Sequence, residues 1–408
     1  MANRFLSCHP WLCTHLRLAI IESFFLCESL MPADNRIIFL CESFNLVRFM
    51  PVVGSFVPNM RFSRCRIPLY CRVLSALCFL FFGSFVMARD TLHVVRVHHP
   101  VTFPQLIPPG NYSGICHLSG DQYLVVDDKS PTDGFYSFTI TFDSISGSIQ
   151  KVSCNSFLHA NRPHRDAEGI VWMPQWQTVL GAGEADNRIL EYTKEGVPTG
   201  REISLPEIYR SCGSNYGLES LTYSPVTHRL WTCSESTLPA DGSQSTSLNG
   251  IANRLRLQSF NEQGLPLAQY AYQMDAPGQQ RTSRIYAMGV SELLALDDGS
   301  LLVLEREFYV PSAKIGSFVR CKLYQVWPDE AATVGVEPLT DTTPFLSKHL
   351  VYEWTTKLNL TRRNLANYEG MCLGPLLADG SRVLLLVADS QSRYKGVMKD
   401  WFLSIVVR

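Results

Sequence analysis

The segment "DAEGIVWMPQWQTVLGAGEADNR" (Asp166–Arg188) has a counterpart much later in the chain, "NYEGMCLGPLLADGSRVLLLVADSQSR" (Asn367–Arg393). Each places a carboxylate and a glycine before an apolar run, a turn and a second apolar run, and then ends in acidic and basic residues. The apolar runs are short, rich in Val and Leu, and separated by turn formers, which is typical of a β-hairpin. Runs this continuous indicate strands that are buried on both faces.

The same design occurs in five places, so the chain contains an internal repeat. The other three copies are "YSGICHLSGDQYLVVDDKS" (Tyr112–Ser130), "GLESLTYSPVTHRLWTCSES" (Gly217–Ser236) and "GVSELLALDDGSLLVLERE" (Gly289–Glu307). Equivalent positions (Ser113, Glu168, Glu219, Ser291 and Glu369) are 55, 51, 72 and 78 residues apart. A four-stranded propeller blade takes roughly 40–50 residues, so the wider gaps predict loop insertions. Pro239–Gly250 and Asp329–Thr343 are the two predicted insertions.

The repeat predicts an all-β protein, a single β-propeller of about six four-stranded blades. Segments between the hairpins alternate apolar and polar residues, as half-exposed outer strands do. Five blades are visible as hairpins, and the sixth would combine "TLHVVRVHH" (Thr91–His99) with "DWFLSIVVR" (Asp400–Arg408). Joining these two segments in one blade would close the ring and remove an exposed sheet edge. Rings of five and of seven blades stay open as alternatives.

Residues 60–88 resemble a secretory signal peptide, with a basic start, an apolar stretch over 73–86 and the small residue Ala88. The apolar stretch is shorter than the roughly 20 residues of a membrane span, although an uncleaved anchor is the alternative. Because a signal begins at the start codon, we expect residues 1–59 to be a non-native upstream extension. Residues 89–408 would then form the propeller domain of a secreted or periplasmic protein, with no stable membrane insertion after cleavage.

The composition excludes some classes of partner. The chain is 46% hydrophobic and 18% charged, with a formal net charge of -1, which fits a globular protein with a real core. Such a balance predicts no general attraction to nucleic acid. Of the 13 cysteines, six follow the predicted signal, an even number that leaves both disulfides and free thiols open. We expect a monomer that acts on a small anionic or ester substrate.

The hairpin repeat predicts a ring of carboxylates at one end of the central channel. The start of a hairpin's first strand and the end of its second strand are neighbours in space, so acidic residues from all the hairpins should converge. Carboxylates gathered in this way repel one another unless cations lie among them. Calcium takes 6–8 oxygen ligands and suits such a site. The predicted metal ligands are Asp127, Asp166, Glu168, Glu184, Glu219, Glu305, Glu369 and Asp389.

Basic residues in the same phrases could hold an anionic substrate, since guanidinium and ammonium groups pair with phosphate and carboxylate. The predicted substrate-binding residues are Lys129, Arg165, Arg188, Arg306 and Arg393, and the predicted catalytic carboxylates are Glu168, Glu219 and Glu369. The alternative at any single position is an acidic residue that caps a turn or pairs with a neighbouring arginine. The sequence contains no GxSxG motif, which would indicate a serine nucleophile, and no HExxH motif, which would indicate a zinc hydrolase.

The phrases "RDAEGIVW", "NYGLESLTYSPVTHRLWTCSES", "GVSELLALDDGSLLVLERE" and "NYEGMCLGPLLADGSRVLLLVADS" resemble the phytase-like domain family, "esterase-like activity of phytase". The resemblance covers roughly residues 108–405. It implies a secreted β-propeller distantly similar to the calcium-dependent β-propeller phytases, which bind and hydrolyse phosphate monoesters at a calcium-loaded channel mouth. Positions that match the family's phrases are Arg165, Asp166, Glu168, Gly169, Asn215, Gly217, Glu219, Ser220, Glu305, Arg306, Asn367, Glu369, Gly370 and Asp389.

Together these features predict a calcium-assisted hydrolase of phosphate monoesters or other esters. The alternative is a propeller without enzymatic activity that binds an anionic ligand or a protein partner at the same mouth, since this fold supports many functions.

Overall fold

The computed structural model describes residues 90–212, 216–278, 281–359, 361 and 363–408. The predicted signal peptide (60–88) and upstream extension (1–59) lie outside these residues. The described part of the chain forms five antiparallel sheets of four strands each. Its helices are four short 3-10 turns at Glu207–Ser211, Pro239–Asp241, Pro328–Glu330 and Tyr394–Gly396. No helix in the described ranges is long and apolar enough to cross a membrane.

Each sheet is one blade of the propeller. Blade 1 contains β2 (Tyr112–Ser119), β3 (Gln122–Asp127), β4 (Thr132–Phe142) and β5 (Ile149–Pro163). Blade 2 contains β6 (Ala167–Met173), β7 (Thr178–Gly183), β8 (Arg188–Thr193) and β9 (Pro198–Ile203). Blade 3 contains β10 (Leu218–Ser224), β11 (Arg229–Ser234), β12 (Arg254–Phe260) and β13 (Pro266–Gln273). Blade 4 contains β14 (Ile285–Ala295), β15 (Leu301–Val310), β16 (Phe318–Val326) and β17 (Lys348–Lys357). Blade 5 contains β18 (Asn367–Leu376), β19 (Arg382–Asp389), β20 (Phe402–Val407) and β1 (Val94–Val97).

The ring has five blades, so the prediction of about six is wrong. The inner strands β2, β6, β10, β14 and β18 contact one another in that order, and β18 also contacts β2, which closes the ring. The segments that were expected to build a sixth blade instead form β1 and β20, which pair with each other from Val94↔Val407 to Val97↔Ile405. β20 also pairs with β19, so both strands belong to blade 5. Only one strand, β20, follows the fifth hairpin in sequence, and β1 supplies the fourth strand of that blade. The predicted joining of these two segments in one blade is confirmed.

The inner hairpins carry the core, as their continuous apolar runs predict. Every residue of β15 is buried, as is all of β19 after its first residue, whereas β17 and β9 at the outer edges are partly exposed. The six cysteines in the described ranges are all free thiols, so none of them forms a disulfide. The extra residues of the two widest repeats form loops between β11 and β12 and between β16 and β17, in agreement with the predicted insertions.

A β-bulge occurs at the same point of all five inner strands and explains the repeated carboxylate–glycine pair. The residues that lack a direct partner in the strand register are Ser113, Glu168, Glu219, Ser291 and Glu369. A bulge redirects a side chain out of the regular alternation. In β2, β6 and β18 a glycine follows the bulged residue and lets adjacent inner strands approach, since a Cβ on Gly114 would lie 2.3 Å from the carbonyl oxygen of Glu168. The sequence repeat therefore reflects a β-bulge that recurs at the equivalent position of each inner strand, beside the channel.

Candidate functional site

The bulges bring three glutamates to one end of the channel, where they meet acidic residues from neighbouring strand ends. We call this group the acidic mouth: Asp128, Asp166, Glu168, Glu184, Glu219, Glu235, Glu369 and Asp389, together with the cation Arg306. Glu168, Glu219 and Glu369 are only 6%, 6% and 8% exposed. Carboxylates of four of the five hairpins converge as predicted, whereas the fourth hairpin contributes Arg306 to the acidic mouth.

Asp128, Asp166 and Glu168 form the first cluster within the acidic mouth. One carboxylate oxygen from each lies within 4.8 Å of the others. Lys129 approaches from the surface, with Nζ 2.6 Å from Asp166 Oδ1 and 2.9 Å from Asp128 Oδ2. Among the described residues, Asp128 Oδ1 is buried and accepts no hydrogen bond. Burial, followed by the charge of Asp389, raises the pKa of Asp128 to about 7.

Glu184, Glu219 and Glu235 form the second cluster, again with oxygens within 4.8 Å of one another. Its members come from two blades, because Glu184 follows β7 whereas Glu219 and Glu235 belong to the hairpin of β10 and β11. The backbone N–H of Gly217 donates to Glu184 Oε1 at 2.9 Å. Burial, and then the charges of Glu235 and Glu168, raise the pKa of Glu219 well above its usual value.

Arg306 on β15 is the buried cation of the acidic mouth and links blades 3 and 5. Its guanidinium forms ion pairs with Glu235 and with Glu369. The Asn367 amide donates to Glu369 Oε1 at 2.8 Å and so holds that carboxylate in place. Burial opposes the charge on Arg306, but the carboxylates of Glu369 and Glu235 raise its pKa above the ordinary value. Arg306 Nε has no hydrogen-bond partner within the described residues.

Glu168 and Glu219 differ from Glu369 because, within the part of the chain that the structure describes, neither carboxylate receives a hydrogen bond. A largely enclosed carboxylate without a donor from the protein is stabilised by keeping its proton or by sharing a cation. Eight carboxylates face one arginine and one partly exposed lysine, so the charge of the mouth is not balanced by the protein itself. The donors are hard oxygens in two clusters, which is the ligand chemistry of Ca²⁺. The residues present therefore fit the predicted calcium.

The structure does not bring Glu305 into the acidic mouth. Its Oε1 accepts hydrogen bonds from the Tyr272 hydroxyl at 2.6 Å and from Lys348 Nζ at 2.7 Å, in a network between blades 3 and 4. Side chains alternate along a strand, so Glu305 and Arg306 leave β15 on opposite faces. Asp127 also stays out of both clusters: its Oδ1 accepts the backbone N–H of Lys129 at 3.1 Å, as a turn cap does.

Three of the predicted substrate-binding arginines are held in structural pairs instead. Arg165 donates from Nε and Nη2 to Asp186 at 2.8 and 2.9 Å. Arg188 pairs with Glu202 on the outer strand β9. Arg393 pairs with Asp400, and its Nη2 donates to the carbonyl oxygen of Ile107 at 2.9 Å. Of the five predicted basic residues, only Lys129 and Arg306 contact the acidic mouth.

Asp128, Glu235 and Asn367 belong to the site but are absent from the predicted ligand and catalytic sets. The hairpin rule does place Asp128 beside Ser113 and Glu235 beside Glu219, so a sequence signal for both existed. Asp389, which was predicted, accepts the backbone N–H of Gln391 at 2.6 Å, and burial raises its pKa to about 6.

Comparison with known proteins identifies a family. The model of the family "Phytase-like: Esterase-like activity of phytase" matches residues 107–391. No curated protein matches the chain.

Solved structures with some likeness include a streptogramin B lyase (12% identity, 78% of this chain and 98% of that chain, TM-score 0.33). The holo form of the PQQ domain of pyranose dehydrogenase from Coprinopsis cinerea is 12% identical in sequence, with a TM-score of 0.36. The match covers 78% of this chain and 98% of that domain. A calcium structure of the Trichoderma reesei Carbohydrate-Active Enzymes Family AA12 is 11% identical in sequence, with a TM-score of 0.36. The match covers 79% of this chain and 98% of that chain. Likenesses this weak carry no argument about the chemistry of this chain.

Proposed function

We propose, from the premise that this chain belongs to the phytase-like family described as "esterase-like activity of phytase", that it hydrolyses phosphate monoesters or other esters with the help of calcium. The reaction would take place at the acidic mouth. The observation that carries the proposal is the pair of buried carboxylates, Glu168 and Glu219, which lack a hydrogen-bond donor among the described residues and which each belong to a three-carboxylate cluster.

The two clusters of the acidic mouth would hold the cation. Asp128, Asp166 and Glu168 offer one set of oxygens, and Glu184, Glu219 and Glu235 offer the other. When bound, calcium would supply positive charge that polarises an ester or phosphoryl oxygen.

The residues of the chain would perform the proton transfers. Burial is the largest cause that raises the pKa values of both Glu168 and Glu219, so these groups exchange protons closer to neutral pH than an exposed glutamate does. In its ionised form Glu168 would accept the proton of the attacking water. With a cation bound at the first cluster and none at the second, Glu219 would keep its proton and donate it to the leaving oxygen, as paired carboxyl groups do in other hydrolases.

Lys129 would bind the anionic part of the substrate, since it is 56% exposed beside the first cluster. Arg306 is buried and would add its positive charge from within the acidic mouth. Glu369 is held by Arg306 and Asn367, so its role would be to position the guanidinium and not to exchange a proton.

Calcium binding and turnover can be tested together. Calorimetric titration with Ca²⁺ should show binding to the wild type and weaker binding to Glu168→Gln and Glu219→Gln. Release of 4-nitrophenol from 4-nitrophenyl phosphate or 4-nitrophenyl acetate should need calcium and should fall by about 10²-fold or more in both variants, as loss of general acid or base catalysis predicts. Glu202→Gln is the matched control, since Glu202 lies on the outer strand β9 and pairs with Arg188. Calcium binding without turnover of either ester would favour the alternative, a propeller that only binds its ligand.

A further inference from the structure

A cavity of about 200 Å³, which we call the side cavity, lies between blades 3 and 4. It is lined by Ser236, which directly follows Glu235, and by the insertion between β11 and β12. Residues at the start of blade 4 close its other side. The side chains that carry the argument are Tyr216, Ser236, Ser245, Ser247, Ser283 and Tyr286.

The walls of this side cavity are fixed by buried hydrogen bonds and do not depend on a ligand. Asn253 is fully buried, and its Oδ1 accepts the backbone N–H of Ser245 at 2.7 Å and the hydroxyl of Ser236 at 3.2 Å. Its amide Nδ2 donates to the carbonyl oxygen of Met288 at 2.6 Å, which ties the insertion to blade 4. The hydroxyls of Ser247 and Ser283 lie 2.8 Å apart and join the two loops.

The side cavity is adjacent to the acidic mouth. Tyr216 lines it and directly precedes Gly217, whose backbone N–H donates to Glu184 Oε1 of the second cluster at 2.9 Å. Ser236 continues directly from Glu235, whose carboxylate pairs with Arg306. A ligand could therefore place one end among the carboxylates and the other end in the side cavity.

The chemistry of the lining selects a neutral, polar ligand. Every described side chain that lines the cavity is uncharged, and Ser and Thr hydroxyls and one glutamine amide supply most of its polar groups. Hydroxyls both donate and accept hydrogen bonds, so they match the hydroxyls of a ligand. The rings of Tyr216 and Tyr286 add flat apolar surface. A phosphate placed here would meet no cation to balance its charge.

We infer that the side cavity binds the neutral, polyhydroxylated alcohol part of the substrate, a sugar or cyclic polyol, while the ester group lies at the acidic mouth. This inference rests on the proposed function. It limits the substrates to those with one charged or reacting group at the mouth and an uncharged ring beside it.

Direct binding tests the ligand class without turnover. Saturation-transfer NMR on calcium-free protein would use myo-inositol and methyl α-D-glucoside as neutral probes, and myo-inositol hexakisphosphate as the same ring with every hydroxyl phosphorylated. We expect both neutral probes to bind and Ser283→Phe, which fills the cavity, to weaken their binding about tenfold or more. The matched control is Ser243→Phe, an exposed serine of the same insertion that does not line the cavity. If Ser283→Phe fails to fold, Ser283→Val removes the hydroxyl with less added volume.

The outcomes separate this inference from the proposed function. Absence of saturable binding by both neutral probes, an equal loss in Ser243→Phe, or hexakisphosphate binding that is lost in Ser283→Phe would each overturn it. Hydrolysis of methyl phosphate without binding of either neutral probe would leave the proposed function standing and remove the side cavity from it. Binding of the neutral probes without hydrolysis of any ester would support the ligand class and count against the hydrolase. If the chain is a hydrolase and the side cavity binds the alcohol part of the substrate, Ser283→Phe should raise the KM for D-glucose 6-phosphate. The KM for methyl phosphate should stay unchanged.

Discussion

The acidic mouth and the Asp241–Arg256 pair in blade 3 both bury carboxylates, but they satisfy them differently. Arg256 is fully buried and donates from Nε and Nη2 to the two Asp241 oxygens, at 2.7 Å each. The backbone N–H of Leu339, from the loop between β16 and β17, adds a further donor at 2.9 Å. In the acidic mouth, Glu168 and Glu219 receive no donor from the described residues. The charge and hydrogen bonds of Asp241 are fully satisfied by the protein, so this pair serves stability. The carboxylates of the acidic mouth need an added cation or protons to balance their charge.

The largest expected effect is the loss of stability when the Asp241–Arg256 ion pair is broken. Arg256→Met should lower the free energy of unfolding by about 3–5 kcal/mol, because it leaves the Asp241 carboxylate buried without its cation. Urea unfolding followed by tryptophan fluorescence measures this. The control is Arg210→Met, which removes an arginine that is 76% exposed and pairs with the equally exposed Glu207. A loss in Arg256→Met no larger than that of the control would remove the contrast between the two regions.

The second effect is stabilisation by calcium, which should come from the acidic mouth. At a free concentration 100 times its Kd, calcium should raise the free energy of unfolding by about 2.7 kcal/mol, because it binds the folded state only. The same addition should change the stability of Glu219→Gln much less, since that variant removes a ligand oxygen's charge. Stabilisation of equal size in wild type and variant would place the bound calcium elsewhere.

A third effect follows from the raised pKa values of the acidic mouth. A carboxyl whose pKa is higher in the folded than in the unfolded state holds more protons when folded, so its contribution to stability is lost as pH rises through the folded pKa. Asp128 and Asp389 titrate at about 7 and about 6, above the ordinary value of 3.8. In the presence of EDTA, the Tm should therefore fall between about pH 4 and pH 7. Saturating calcium should flatten this slope, and a Tm that rises over this range without calcium would contradict the assignment.

The smallest effect is a gain in stability from neutralising one carboxylate. In EDTA at pH 8, Glu219→Gln should raise the free energy of unfolding by about 1 kcal/mol, because it removes an unbalanced buried charge. At pH 4.5 the gain should disappear, since the wild-type side chain then carries its proton. Chemical unfolding at the two pH values measures the difference, and a loss of stability at pH 8 would show that Glu219 is already balanced.

The sequence predicts the propeller and the convergence of its carboxylates, because the hairpin repeat records the inner strands directly. The blade count failed because β1 and β20, whose joining was predicted, extend a blade whose inner hairpin is already counted, and the sequence does not show which sheet such a pair extends. The hairpin rule gives Glu219 and Glu235 correctly, yet Glu184 clusters with them in the next blade and not with Glu168. Arg393 shows the remaining limit: it pairs with Asp400 of its own loop between β19 and β20 and donates to the carbonyl oxygen of Ile107, which comes from the other end of the described chain.

The pairing of β1 with β20 also determines when the protein can finish folding. Residues 94–97 must wait, during synthesis, for residues 402–407 before blade 5 is complete. Contacts between such distant segments form slowly, because a long loop must close first. Blade 5 also supplies Glu369 and Asp389 to the acidic mouth, with Asn367 donating to both, so the blade that closes the ring also carries part of the site. A chain that lacks β20 would therefore leave β1 without its partner strand and the blade that carries Glu369 incomplete.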